Sequence, residues 1–327
     1  MKIVADVLIR GGGVAACCCA HLLTRAGLRV GWMLTDRPRL PVILIGNATQ
    51  ALIEDVFEKR DLFKGCHRIE RRTVAWQRDA GAVTVEHSAV VVSEERLLDL
   101  LRPPLQTEHE QAAPWTVFSS QALLEHHFGS RIASVVPIEF NGDAHACFIE
   151  SLEAGWLFLI PTTACSGWML SVGGAHEDLL SESRLIAKQI ARAHPPIGTF
   201  AAYPRMAEPL AGPGWLACGT AAMAFDPICG DGTGNAIREA ILAAAVIRAA
   251  LKGGGADSLL AHYENRLRLG FKRHLALCLD FYRSGRRGLW WDREVESLIE
   301  GIEWCAGEPR FEYQLDGFEL RPVSRGG

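Results

Sequence analysis

Residues 214–240 read GWLACGTAAMAFDPICGDGTGNAIREA. An apolar strand, Trp215–Cys218, enters a turn of small residues, Gly219–Ala222. A Pro/Gly loop over Asp226–Gly234 follows, then an Ala-rich helix from about Asn235 to Lys252. So much glycine beside a helix N-terminus lets backbone amides approach something flat or anionic. A second glycine-rich turn, Gly11-Gly12-Gly13-Val14-Ala15-Ala16, stands near the start of the chain. The two turns together predict one nucleotide cofactor held from two sides.

The surroundings of the first turn support this. Ile3–Ile9 is a β-branched apolar run that reads as a buried parallel strand. A helix over Val14–Arg25 follows, stopped by Gly27, and Leu28–Leu34 is the next strand. The pattern Gly11-x-Gly13-x-x-Ala16 thus sits between strand and helix of a βαβ unit, the position of a dinucleotide-binding turn. Further on, a helix is predicted around Ala48–Arg60, short strands over Thr73–Val92 with a turn at Gly81, and a short helix over Ser93–Leu101. Trp115–Phe118 reads as one more strand. Alternation over residues 131–172 predicts four antiparallel strands, followed by a helix over Glu182–Ala193. A long amphipathic helix is predicted over Ala256–Arg283.

Composition narrows the field. The 327 residues carry a formal net charge of −4, which gives no electrostatic case for nucleic acid. There is no apolar run of transmembrane length and no signal-peptide layout. Ten cysteines are present without a Cys-x-x-Cys pair. Cys17, Cys18 and Cys19 are consecutive on a predicted helix, where neighbours face different ways and cannot chelate. They read as small apolar fillers, and no metal site is expected; the adjacent His126 and His127 read as surface residues. Free thiols fit a reducing, cytoplasmic setting.

The order of these parts resembles flavin-dependent monooxygenases and tryptophan halogenases of the p-hydroxybenzoate hydroxylase type, as a shortened and divergent member. Gly11, Gly13 and Ala16 match the FAD-pyrophosphate turn. Gly219, Thr220, Asp226, Pro227, Gly230, Gly232, Gly234 and Asn235 match the late motif that wraps the ribityl chain and flavin ring. Gly155-Trp156-Leu157-Phe158-Leu159-Ile160-Pro161 is similar to the halogenase motif Trp-x-Trp-x-Ile-Pro, with Phe158 at the second Trp. The resemblance implies FAD as cofactor, with Asp36 toward the adenosine ribose and Arg96 toward the flavin. It also implies a substrate pocket with Trp156, Phe158 and Arg68. The chain departs from the family in several places. Leu34 stands where the ribose-binding acid falls, Thr220 replaces an Asp, and Arg10 precedes the glycines. The 101–115 region is short, and Arg68 occupies the place of the halogenase lysine. A guanidinium does not replace an ammonium in handling hypohalous acid, so halogenation is disfavoured.

The resemblance implies an α/β (mixed α+β) fold: a Rossmann-like FAD/NAD(P)-binding domain, an inserted antiparallel-sheet substrate domain and C-terminal helices. The expected divisions are 1–40 with 93–120 and 200–255 for the FAD domain, 41–92 with 121–199 for the substrate domain, and 256–327 for a C-terminal helical segment. The function implied is hydroxylation of an aromatic substrate, indole-bearing and free or peptide-bound, through a flavin hydroperoxide. No NAD(P)H-binding domain is visible, which points to a separate flavin reductase. Two alternatives stay open: a degenerate flavoprotein fold that binds a partner without turnover, and a flavin-dependent reductase or halogenase. The cluster His67, Arg68, Arg71 and Arg72 reads either as a dock for an anionic or peptide substrate or as a solvated face.

Overall fold

A computed structural model describes residues 5–35, 39–77, 81–103, 113–120, 123–307 and 309–323. The expected βαβ unit is there. Strand Val7–Arg10 pairs in parallel with Val30–Met33 on one side and with Trp115–Phe118 on the other. Trp215–Ala217 joins the far edge in parallel, and Ala211–Gly212 closes the sheet antiparallel to it. Helix α1 (Val14–Arg25) connects the first two strands, and Gly27, at φ +81°, ends it.

Helix α2 spans Asn47–Phe57 and α3 spans Glu94–Leu101, whose first turn is capped by the Ser93 hydroxyl accepting from the Arg96 N–H. Helix α2 stops earlier than the apolar pattern suggests because Glu58 turns into the left-handed region.

The larger, nine-stranded sheet runs Ile190–Ala193, Ile132–Phe140, Ser166–Gly173, Gly155–Pro161, Ala146–Leu152, His67–Ala75, Val83–Val92, Ile43–Gly46, with Gly198–Ala201 also on Ile132–Phe140. One pairing, His67–Ala75 with Ala146–Leu152, is parallel; the others are antiparallel. Strand Gly155–Pro161 is buried along its whole length, so its two faces feed two cores. Trp156, Phe158 and Ile160 enter the main core shared with the five-stranded sheet. Leu157 and Leu159 enter a smaller one with Met169, Leu179 and Ile186.

The helix expected over Glu182–Ala193 is not formed. Helix α4 spans His176–Glu182 and stops at Ser183; a short turn and then strand Ile190–Ala193 follow. The cause is Glu150, buried on strand Ala146–Leu152 across the sheet. Its carboxylate accepts the N–H groups of Arg184, Leu185 and Ile186 and the Ser183 hydroxyl. Those amides are held by a side chain from across the sheet instead of by carbonyls one turn back.

Helix α5 spans Gly232–Leu251, starting three residues before the expected Asn235. Helix α6 (Ala256–Ser284) packs on α5, and α7 (Leu289–Trp304) packs on α6. The Trp291 N–H of α7 donates to Leu152 O at 2.9 Å, tying this helix to the large sheet. Helix α7 falls within the expected C-terminal helical segment, whereas residues 313–322 of that segment form a hairpin, Tyr313–Asp316 with Glu319–Pro322. Among the described residues, no helix is long and apolar enough to cross a membrane.

Candidate functional site

Helices α1 and α5 pack side by side through small residues. The thiol of Cys18 approaches Ile237 O at 4.0 Å and that of Cys19 approaches Ala240 O at 3.7 Å. These contacts advance in the same direction along both helices, so the two N-terminal ends lie on one side of the pair. The cysteines act as fillers, as their burial between helices requires.

Helix α1 begins at Gly13 with no side-chain cap and no acid in its first turn, and that turn is buried. Its dipole and free amides therefore favour an anion. Gly11, at φ +134°, cannot be replaced: a Cβ there would lie 2.0 Å from Ser119 Oγ. Gly11 is fixed from both sides, its N–H donating to Met33 O at 2.9 Å and its carbonyl accepting the Trp32 indole N–H at 2.6 Å. Arg39 lays its guanidinium on Gly12 O at 3.0 Å. Arg10, just before the turn, has a buried Nε without a hydrogen-bond partner. The Arg10 guanidinium lies over the Phe118 ring at 5.8 Å, so Arg39 is the cation shown at the uncapped helix end. At the second turn, Gly230 (φ +64°) and Gly232 face open space, with nothing within 4 Å of a Cβ built on either. Gly234 is the opposite case, packed on Asp231 and the Thr49 hydroxyl, which bond to each other at 2.7 Å. A pyrophosphate and a flat ring fit this cradle.

Between the two ends, Gly219 (φ +61°) approaches α1 so closely that a Cβ would meet that of Ala15 at 2.8 Å. Its N–H donates to Glu239 Oε2 at 2.8 Å. Burial pushes the Glu239 carboxyl up to about 8, against the pull of that N–H, so the acid is neutral near pH 7. Thr220 is exposed, and its hydroxyl donates to Ser119 O at 3.2 Å. The threonine therefore turns its proton inward, not outward to a ligand.

The loop Asp226–Gly230 is anchored from behind. Asp226 is buried; its N–H donates to His274 Nε2 at 2.9 Å and its Oδ1 accepts from Ile228 N at 2.9 Å. Its Oδ2 accepts from the Tyr282 hydroxyl at 2.9 Å and lies 2.9 Å from Arg131 Nε. Arg131 also reaches Glu294 Oε2 of α7 at 2.5 Å, and its guanidinium stacks over the Tyr282 ring at 4.8 Å. Trp156 joins through its indole N–H on Tyr282 Oη at 3.1 Å. Burial raises the Asp226 carboxyl, opposed by the Arg131 charge, the Ile228 N–H and the Tyr282 hydroxyl. Burial, with Arg131 second, holds His274 down at about 3, so it is the neutral acceptor that the Asp226 N–H needs.

The structure gathers Gly11, Gly13 and Ala16 at the first turn and Gly219 through Asn235 at the second. Trp156 is fully enclosed, and Phe158 follows it on the same face. Arg96 is exposed on α3 and Arg68 is exposed on strand His67–Ala75, apart from the loop anchors. Beside Arg68, Arg71 pairs with Asp143 at 2.6 Å and Arg72 reaches His87 at 3.0 Å. Asp36 lies outside the described residues. Sequence reasoning missed Arg39, Arg131, Glu239, His274 and Glu294. Only Glu239 carries a local signal, a lone acid inside the apolar part of α5.

A glycine-gripped parallel sheet joined to a large mixed sheet, with late glycines returning beside α1, is the fold of FAD-dependent hydroxylases and halogenases. The solved structures similar to it include QhpG, a peptidyl tryptophan dihydroxylase essential for tryptophylquinone cofactor biogenesis. The match has a TM-score of 0.76 at 16% identity and covers 98% of this chain and 86% of that one. CmlS, a flavin-dependent halogenase, matches with TM-score 0.74 at 15% identity over 93% and 70% of the two chains. A variant of HpxO from Klebsiella pneumoniae, solved in complex with FAD, matches with TM-score 0.62 at 12% identity over 91% and 96%. No family model and no curated protein sequence matches the chain.

Proposed function

We propose that the chain is an FAD-dependent monooxygenase that hydroxylates an aromatic substrate, indole-bearing and free or peptide-bound. The observation that carries this is the pair of glycine-rich helix ends lying side by side, one with Arg39 on the Gly12 carbonyl and the other open at Gly230 and Gly232. When bound, FAD would supply activation of O2 and delivery of one oxygen atom to the ring.

The roles of the chain follow from its geometry. Val14, Ala15 and Ala16 would direct backbone amides at the pyrophosphate, with Arg39 adding a permanent cation. Gly230 and Gly232 would let the main chain lie against the flavin ring, and the dipole of α5 would favour negative charge there. Glu239, neutral at pH 7, holds the Gly219 turn without setting a negative charge beside the phosphates. Trp156 packs behind the site; Phe158 and Ile160, further along the same face, are assigned to the substrate side. Arg68, exposed on strand His67–Ala75, is given no part in the chemistry. Electrons would come from a separate flavin reductase.

The absorbance spectrum of the purified chain, before and after incubation with FAD, tests this. Oxidised-flavin bands at one FAD per chain are expected, with O2 uptake when reduced flavin and an indole substrate are supplied. A colourless chain that cannot be reconstituted would overturn the reading. That outcome would favour a ligand-binding role without redox turnover, the reading to which the inward-turned Thr220 hydroxyl lends support.

A further inference from the structure

The anchor behind the flavin-type loop contains a ligand set that no sequence spacing announces. Cys229 ends the short helical turn Pro227–Cys229, while His274 and Cys278 stand one turn apart on α6 and so share a face. Cys229 Sγ lies 3.5 Å from Cys278 Sγ, and Cys278 Sγ lies 3.3 Å from His274 Nε2. All three ligand atoms fall within 4.8 Å of one another, and among the described residues no other group of three such side chains does. We propose that Cys229, His274 and Cys278 form a binding site for a thiophilic divalent cation of the zinc type.

Three features support it. A tetrahedral zinc ion with bonds of about 2.3 Å to sulfur and about 2.0 Å to nitrogen separates its ligands by roughly 3.8 Å (S to S) and 3.5 Å (S to N). The two observed edges lie within a few tenths of an ångström of these, and the third closes by a small rotation of Cys229, the half-buried member. The imidazole presents a lone pair at Nε2, since that atom accepts the Asp226 N–H. Charge also balances. A divalent ion that displaces both thiol protons to solvent forms a neutral unit with two thiolates and one imidazole, so its burial beside Arg131 adds no net charge. Metal binding takes the Nε2 lone pair from the Asp226 N–H and so acts directly on the loop backbone.

The test uses the full chain, reduced and stripped with a chelator, titrated with cobalt(II) alone and followed as a difference spectrum. One equivalent is expected to give thiolate-to-cobalt charge transfer and the intense visible bands of tetrahedral cobalt, both erased by zinc. Cys278→Ser and Cys229→Ser each weaken binding by about a hundredfold, as loss of one of three ligands requires. Cys165→Ser, at an exposed cysteine elsewhere, leaves it unchanged. Absence of the tetrahedral spectrum, or its persistence in the double Cys229/Cys278→Ser variant with native circular dichroism, would overturn the proposal. So would a Cys229–Cys278 disulfide formed in place of metal uptake. The result is independent of FAD content, so this proposal and the flavin reading fail separately.

Discussion

Replacing Glu239 with glutamine is expected to stabilise the protein at neutral pH. The carboxyl is buried inside an apolar helix face, and burial raises it from 4.5 to about 8. An acid raised in the folded state binds its proton more tightly there than in the unfolded chain. Its contribution to stability is therefore complete below pH 4.5 and is lost as pH rises toward about 8. At pH 7 the unfolded chain has gained about two and a half pH units of ionisation free energy that the folded chain has not. At about 1.4 kcal/mol per unit, this is roughly 3 kcal/mol. Glutamine keeps an oxygen for the Gly219 N–H but ionises in neither state. Glu239→Gln should therefore raise Tm by roughly 6 °C at pH 7. It should have no such effect at pH 4, which flattens the pH dependence between the two. Calorimetry at both pH values is the assay. A variant that is less stable at pH 7, or whose pH dependence matches the parent's, would show that Glu239 is held as an anion by Gly219 and would refute the argument.

Gly13→Val inserts a branched side chain at the start of α1 and should abolish FAD binding while circular dichroism stays native; equilibrium dialysis with FAD checks it. Arg39→Ala removes a cation from the Gly12 carbonyl and should weaken FAD about tenfold or more, by the worth of one charge-assisted hydrogen bond, measured by flavin fluorescence quenching. Glu294→Ala leaves Arg131 with one carboxylate fewer in the core and should cost roughly 3–5 kcal/mol in denaturant titration, with Glu294→Gln milder. Glu150→Ala strips the acceptor from three backbone amides and should release the 183–189 turn, read as faster hydrogen exchange there than at Ile132–Phe140.

The sequence exposes those parts of this molecule that are local. The Gly11–Gly13 turn, α1 with its bounds at Val14 and Arg25, and the strand Trp115–Phe118 follow from glycine placement and apolar runs. The failures have non-local causes. The 182–193 segment has helical periodicity, but Glu150, more than thirty positions earlier, captures its amides. Cys229 and Cys278 are separated by 49 residues, so no spacing rule joins them. Arg131 lies in an ordinary strand sequence, and only the return of α6 and α7 shows that Asp226, Tyr282 and Glu294 surround it. Thr220 is legible as a departure, but the direction of its hydroxyl depends on Ser119, about a hundred positions away.

The rear anchor of the 226–230 loop sets where motion can begin. Asp226 is bonded or paired to α6 twice, to Arg131, and through Arg131 to α7, so its end of the loop moves only if several elements move with it. Four residues on, Gly230 and Gly232 have empty space beside them. The segment is therefore pinned at Asp226 and again at Asp231, whose carboxylate accepts from Thr49 and Arg238, and room for a ligand is confined to Gly230 and Gly232. Because the Trp156 indole hangs from the same Tyr282 oxygen that grips Asp226, and Arg131 immediately precedes strand Ile132–Phe140, strain at Asp226 reaches the large sheet by two routes.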